Sequence, residues 1–271
     1  MGKRRKTVQF LWTALSNGYL YGFAHGKIFS GRMKGICLPG LNCYSCPGAF
    51  GACPLGSLQS SLYGRQGILY VVGFLCLFGM VLGRFVCGWL CPFGLLQELI
   101  HKIPLGKKVK RLPGDKWLRK VKYVLLFLFV LILPFFLMDK PWFCAYVCPQ
   151  GTLEGGVFLT LGVPALRSAV GWVYAWKVVI LAAILVLSLF VYRPFCRYFC
   201  PLGVIYGSFN KLSILRYKVD TESCISCGAC HKACPMDLDP SRKPNDALCV
   251  RCGACIDACP VKAISFQHSL R

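Results

Sequence analysis

The residues most able to do chemistry lie between Cys224 and Cys259. From Cys224 the chain reads C-I-S-C-G-A-C-H-K-A-C-P, and from Cys249 it reads C-V-R-C-G-A-C-I-D-A-C-P. Each is a C-x2-C-x2-C-x3-C-P run, the spacing of paired [4Fe–4S] sites in which the fourth cysteine serves the other cluster. A tight loop can set three thiolates on three corners of an iron–sulfur cube, and Gly228 and Gly253 let backbone amides approach the sulfurs. The fourth thiolate sits on the next helical turn and cannot reach the same cube. The expected ligand sets are Cys224, Cys227, Cys230 and Cys259 for one cluster, and Cys249, Cys252, Cys255 and Cys234 for the other. Pro235 and Pro260 end the loops and remove an unneeded N–H. Zinc prefers two separated C-x2-C knuckles to this dense triple with Cys-Pro. Iron is the expected metal.

A second pattern recurs upstream as Cys87-x3-Cys91-Pro, Cys144-x3-Cys148-Pro and Cys196-x3-Cys200-Pro, continuing as CPFGLL, CPQGTL and CPLGVI. A further copy, CPLGSL from Cys53, has Ala49 where the first cysteine would stand. A C-x3-C pair offers two thiolates about one helical turn apart, half of what a cluster needs, so two pairs must meet. Cys87 and Cys91 are expected to meet Cys196 and Cys200. The remaining set leaves its sharing open. Cys46, Cys53, Cys144 and Cys148 can mirror the first membrane cluster, or Cys37, Cys43, Cys46 and Cys53 can bind one alone, and a disulfide is the alternative where the compartment is oxidising. Cys76 stands alone and reads as an inert buried thiol. The histidines offer no haem site, for no C-x-x-C-H occurs and no two lie on facing spans.

These cysteines need elements to hold them, and composition says which. Of 271 residues, 56% are apolar and only 15% charged, against about 25% charged in soluble domains, and the mean hydropathy is +0.55. That excludes a disordered chain and an ordinary cytosolic enzyme. The 19 cysteines do not fit a small secreted disulfide scaffold either, because such scaffolds lack long apolar runs. Four runs, at 8–29, 68–86, 123–138 and 173–192, approach the roughly 20 residues of a spanning helix. The fold expected is a membrane all-α domain over 1–217, with four transmembrane helices and Cys-Pro turns. A small α+β two-cluster ferredoxin-like domain would follow over 218–271.

Net charge is +22, and its placement matters more than its size. Lys3, Arg4, Arg5 and Lys6 precede the first run, and Lys102, Lys107, Lys108, Lys110, Arg111, Lys116, Arg119, Lys120 and Lys122 follow the second. Basic residues mark the cytoplasmic side, so both termini are expected there, in a prokaryotic inner membrane. Positives that track the membrane boundary point to lipid and not to nucleic acid. Lys218, Lys232, Arg251 and Lys262, beside the C-terminal motifs, would favour a reduced, more negative cluster and dock acidic donors. Clusters on both faces of a core about 30 Å thick would leave a gap for a quinone, a flavin or a partner subunit.

The stretches GRFVCGWLCPFGLLQ and FCRYFCPLGVIYG and the tandem C-terminal motifs resemble the membrane-bound polyferredoxins related to the quinol-dehydrogenase membrane subunit of periplasmic nitrate reduction. They are also similar to the C-terminal region of the membrane flavoprotein needed for nitrous oxide reduction. The segment PGLNCYSCPGAFGACPLGSLQ resembles a subset of uncharacterised members with extra N-terminal cysteines. The resemblance implies four spans, [4Fe–4S] clusters, and single-electron transfer between a reduced donor or quinol and a partner redox protein, whether ferredoxin, flavoprotein or terminal reductase. The third Cys-x3-Cys-Pro copy and the N-terminal cysteines depart from the nitrate-reductase pattern. The other reading is an assembly or regulatory redox protein that supports maturation of another metalloenzyme. No residue qualifies as an acid–base catalyst, so an electron-transfer subunit is expected rather than a complete enzyme.

Overall fold

The computed structural model describes residues 2–268. Two helices are long and apolar enough to cross a membrane, Asp115–Leu137 with mean hydropathy 2.2 and Trp172–Phe190 with 2.3. Only 28% and 17% of their apolar windows are buried, and Phe127, Phe136, Val179 and Val186 face outward. A helix in the core of a soluble domain would bury such side chains; here they make an exposed apolar surface of the kind that meets lipid or a partner. Within the first of these helices the winding widens to π over Leu125–Ile132 before returning to α at Leu133–Leu137. Pro134 accounts for the irregularity, since it donates no N–H and its ring would clash with the Val130 carbonyl in a regular α-helix.

Four transmembrane helices are not what the chain forms; the described residues contain these two. The N-terminal run breaks after Gly2–Ser16 and resumes as the short helix Leu20–His25. Asn17 causes the break by turning its amide back onto the Thr13 carbonyl (3.2 Å), and the N-terminal helix buries Arg5 and Gln9. The run from Ile68 forms a helix of 15 residues, Ile68–Leu82, about 22 Å long and short of a core about 30 Å thick. Gly83, with φ of +53°, ends it, and Arg84 behind it is fully buried. The apolar stretch of 68–86 in the sequence thus runs across a break in the helix.

The remaining helices are set by the Cys-Pro turns. Pro54–Gly64, Pro92–Lys102 and Pro201–Ser208 begin with proline and are capped by Cys53, Cys91 and Cys200. Proline suits the first helical position, and the residue before it is forced to extended backbone, so each cysteine turns out of its helix. A fourth segment follows Cys148-Pro149 and winds through 151–162. Pro54–Gly64 packs on Ile68–Leu82 and on the far end of the first apolar helix, while Pro92–Lys102 packs on Trp172–Phe190 and on the N-terminal helix.

The only sheet among the described residues is an antiparallel pair, Leu215–Val219 with Ile264–His268, with Tyr217 opposite Phe266. It draws together the two ends of the cysteine-rich module, whose helices are single turns at Ala229–Ala233 and Ala254–Asp257. Tyr217, Cys230, Cys255 and Ile264 form a small core there. Cys234, Met236 and Val250 belong instead to the main core. The module is thus packed into the rest of the molecule.

Glu98 ties the N-terminal helix to this frame. Its carboxylate meets Arg5 at 2.8 Å and Arg193 at 2.8 Å, and accepts from the Tyr192 hydroxyl. Burial alone would raise its pKa, but the Arg193 charge and the Arg5 hydrogen bond hold it down to about 2. A depressed carboxylate contributes stability above its unfolded pKa of about 4.3 and loses it as pH falls toward the folded value. We expect Glu98→Ala, which strands two buried guanidiniums, to cost about 3–5 kcal/mol in detergent-solubilised protein. Wild-type stability should hold near pH 5 and decline below pH 4; a variant with unchanged midpoint would remove Glu98 from this role.

Candidate metal centres

Nearly all the cysteines gather around four cavities. Site I is lined by Cys224, Cys227, Cys230 and Cys259. Site II is lined by Cys234, Cys249, Cys252 and Cys255. The last cysteine of each run therefore lines the cavity of the other. Site III is enclosed by Cys87, Cys91, Cys196 and Cys200 with Val86, Phe93, Phe195 and Leu202. Site IV is a wider cleft of about 400 Å³, and its cysteines are Cys43, Cys53, Cys144 and Cys148. Cys37, Cys46 and Cys76 line none of these.

In each of these sites four thiols ring a space, the arrangement that a cluster of several atoms calls for. The backbone is shaped for the same purpose. Gly228 and Gly253 adopt φ of +70° and +83°, and Ser226 and Arg251, at matching places in the two loops, also have positive φ. These turns aim amides at the sulfurs, as the Arg251 N–H does at Cys249. In the Cys-Pro helices the third residue after the cysteine supplies the N–H, Gly203 to Cys200 at 3.4 Å and Gly151 to Cys148 at 3.4 Å. The sulfur thus caps a helix N-terminus, where anions are favoured.

Burial pushes the Cys91 thiol up to about 12, with Cys196 and Cys87 adding to it, and pushes Cys249 up to about 12 as well. Such thiols ionise only when a cation takes the proton's place, as iron does. The surroundings carry the opposite excess. Arg84, Arg193 and Arg251 are fully buried. Arg84 donates to the carbonyls of Cys196 (3.0 Å) and Ala247 (2.8 Å), and Arg193 donates to that of Cys87. Arg251, expected to help dock acidic donors, is buried and locked onto Leu82, Asn210 and Ser213. Among the described residues no carboxylate pairs with Arg84 or Arg251, and the Nε atoms of Arg84, Arg193 and Arg251 have no hydrogen-bond partner. Anionic iron–sulfur sites with thiolate ligands fit a setting so rich in buried positive charge.

The sites adjoin one another. Gly88, between the site III ligands Cys87 and Cys91, lies so close to Val250 that a Cβ there would stand 2.1 Å from the Val250 carbonyl oxygen. Trp89 reinforces the contact by donating to the Arg251 carbonyl at 3.0 Å. Val250 is itself in the wall of site II. On the other side, Leu41 lines both site III and site IV. Sites III and IV thus share Leu41 as a common wall.

Sequence reasoning passed over the sixth residue beyond each Cys-Pro cysteine. Gln97 accepts from the Phe195 N–H (3.1 Å) and donates to Cys196 Sγ (3.5 Å), while Tyr206 donates to the Pro39 carbonyl (3.1 Å). Gln59 and Glu154 hold the same place in the other two copies. The signal was the repeat carried one residue further, CPFGLLQ beside CPLGSLQ.

Comparison with known proteins agrees with this chemistry. The family described as "4Fe-4S binding domain" matches residues 65–113, 121–166 and 174–219, and a second model of the same description matches 217–237 and 243–265. The chain is 32% identical to YccM of Escherichia coli over 190 residues, covering 67% of this chain and 48% of YccM. It is 34% identical to protein MJ0750 of Methanocaldococcus jannaschii over 172 residues, 60% of this chain and 63% of that one. It is 29% identical to the methylamine utilization ferredoxin-type protein MauN of Methylorubrum extorquens, over 81% of this chain and 74% of MauN. The chain thus spans about half to two thirds of the first two relatives. No solved structure matches it.

The Gly88 contact is open to test. Gly88→Ala should push the C-terminal module from its seat at a cost of about 1–3 kcal/mol. Amide exchange over 215–268 should quicken while iron bound by that module stays constant; unchanged protection would show that the close packing does not hold it.

Proposed function

The chain belongs to the 4Fe–4S binding-domain family of iron–sulfur electron-transfer proteins, and on that footing we propose that it carries single electrons through a chain of clusters to a quinone or partner redox protein at a membrane. Residues of sites I, II and III would hold three [4Fe–4S] clusters. Such clusters supply a change of one unit of charge with little rearrangement. The protein's part is to hold the thiolates, exclude water from them with apolar walls, and set their field with buried arginines and helix N-termini. The observation that carries the reading is the backing of site III onto site II through Gly88 and Val250, which keeps an electron's step between them short.

We assign the C-terminal module and the N-terminal helix to the same side of the membrane. The Gly2 amide donates to Asp257 at 3.0 Å. In the basic linker, Lys110 reaches the Lys232 carbonyl at 2.9 Å and Arg111 pairs with Asp237. The two apolar helices, joined through the 138–171 loop, return the chain to that side. The concentration of basic residues there supports a cytoplasmic assignment and a docking face for an acidic donor such as a ferredoxin or flavoprotein.

The test is anaerobic purification of the full chain with analysis for iron, zinc and sulfide. Sites I to III account for about 12 irons per chain, with broad visible absorption and EPR signals after dithionite. Cys87→Ala with Cys196→Ala should remove about four irons and leave the C-terminal signals. Zinc in place of iron would overturn the reading. So would reduced protein that gives no electron to a quinone analogue or to any redox partner in vesicles.

A further inference from the structure

Site IV repeats the hydrogen bonding of site III part for part. In site III, Gln97 from the CPFGLLQ helix takes the Phe195 N–H and gives its own N–H to Cys196 Sγ. In site IV, Gln59 from the CPLGSLQ helix takes the Phe143 N–H (2.9 Å) and donates to Cys144 Sγ (3.2 Å). Gly151 N–H points at Cys148 as Gly203 N–H does at Cys200. A cation meets the same carbonyl in each, Lys177 on Cys144 (3.1 Å) and Arg84 on Cys196 (3.0 Å). Three thiols, Cys53, Cys144 and Cys148, thus occupy the places that Cys91, Cys196 and Cys200 hold in site III.

The fourth place is where the two differ. The repeat puts Ala49 opposite Cys87, and Ala49 is not in the wall of the cleft. Cys43 is. Its Sγ lies 3.6 Å, and that of Cys148 3.8 Å, from the point a Cβ on Gly151 would take. The other local thiols are turned elsewhere. Cys46 faces Asn17 Oδ1 at 3.5 Å, and the Cys37 thiol is hydrogen-bonded with Ser57 and Tyr70. The loop bearing Cys43 is gripped from both sites by the sixth residue of the remaining helices. Tyr206 holds Pro39 from site III, and Glu154, buried, holds the Cys43 N–H at 2.8 Å in site IV.

From this we propose that Cys43, Cys53, Cys144 and Cys148 bind a fourth [4Fe–4S] cluster, with Cys43 replacing the ligand that the repeat lacks. The proposal rests on the reading that the chain carries such clusters. Each thiol gives up its proton as it binds iron. Through Leu41, which lines both cavities, site IV extends the row of centres beyond site III and ends it in an open cleft.

The test uses full-length protein reconstituted anaerobically with iron and sulfide, read by iron content and by EPR spin quantitation. Wild type should hold about 16 irons, four per centre. Cys43→Ala and Cys144→Ala should each bring this to about 12 and remove the same EPR component, while Cys46→Ala and Cys37→Ala should change neither. Wild-type iron near 12, or a loss on Cys46→Ala equal to that on Cys144→Ala, would overturn the assignment of Cys43. Should Cys43→Ala fail to accumulate, the Cys144→Ala and Cys46→Ala pair decides the matter alone. Protein with no iron at all would instead defeat the broader cluster reading.

Discussion

Buried positive charge is the constraint on which the rest of this molecule depends. Arg84, Arg193, Arg197 and Arg251 are among its largest fully buried side chains. Among the described residues, Arg193 and Arg197 alone of the four are matched to a carboxylate, Glu98 and Asp115. A guanidinium withdrawn from water without a counter-charge costs several kcal/mol. Four helix N-termini add their own positive ends at cysteine sulfurs. Negative charge is needed nearby to offset this, and Arg84 shows where, for it lines site III beside Cys87, Cys91, Cys196 and Cys200. With [4Fe–4S] clusters held there as proposed, the same field would make each easier to reduce, because reduction adds a negative charge. Stability and redox function therefore call on one arrangement of charge.

The order of the centres follows from how each wall is shared. Sites I and II exchange their last cysteines, so neither loop can fold around its cavity without the other. Site II meets site III where Gly88 leaves room for the Val250 carbonyl. Site III meets site IV at Leu41. In each case the contact is backbone or a single side chain thick, which brings the cavities close without merging them. A module of about fifty residues would bury too little apolar surface to stand alone; here Met236 and Val250 complete their burial inside the larger core.

How much of this the sequence made legible depended on the range of the interaction. The C-terminal cysteines act within loops a few residues long, so their spacing carries their geometry. The Cys-Pro turns were legible for the same local reason, proline fixing both itself and the residue before it. The spans were less so. Apolar length at 8–29 and 68–86 concealed breaks at Asn17 and Gly83, because hydropathy does not register a side chain that bonds its own helix or a glycine of positive φ. The net charge concealed Arg251, which looks like any surface cation in sequence yet joins Leu82 to Asn210 across the core.

Cys43 marks the limit of reading by repeat. Internal symmetry predicts which residue type belongs at each place only while the backbone around that place is also repeated. From Cys87 to Cys91 a short helix, Phe85–Trp89, carries the first ligand toward the second. From Ala49 to Cys53 the chain runs as a loop, and its Ala52 bridges to Cys37 instead. With that helix gone, a cysteine at position 49 would have no turn to bring it to the cavity. The proposed ligand comes instead from a segment anchored on both sides, 39–43, held at Pro39 by Tyr206 and at Cys43 by Glu154. Long-range clamps of this kind set the position of Cys43, and no spacing along the chain encodes them.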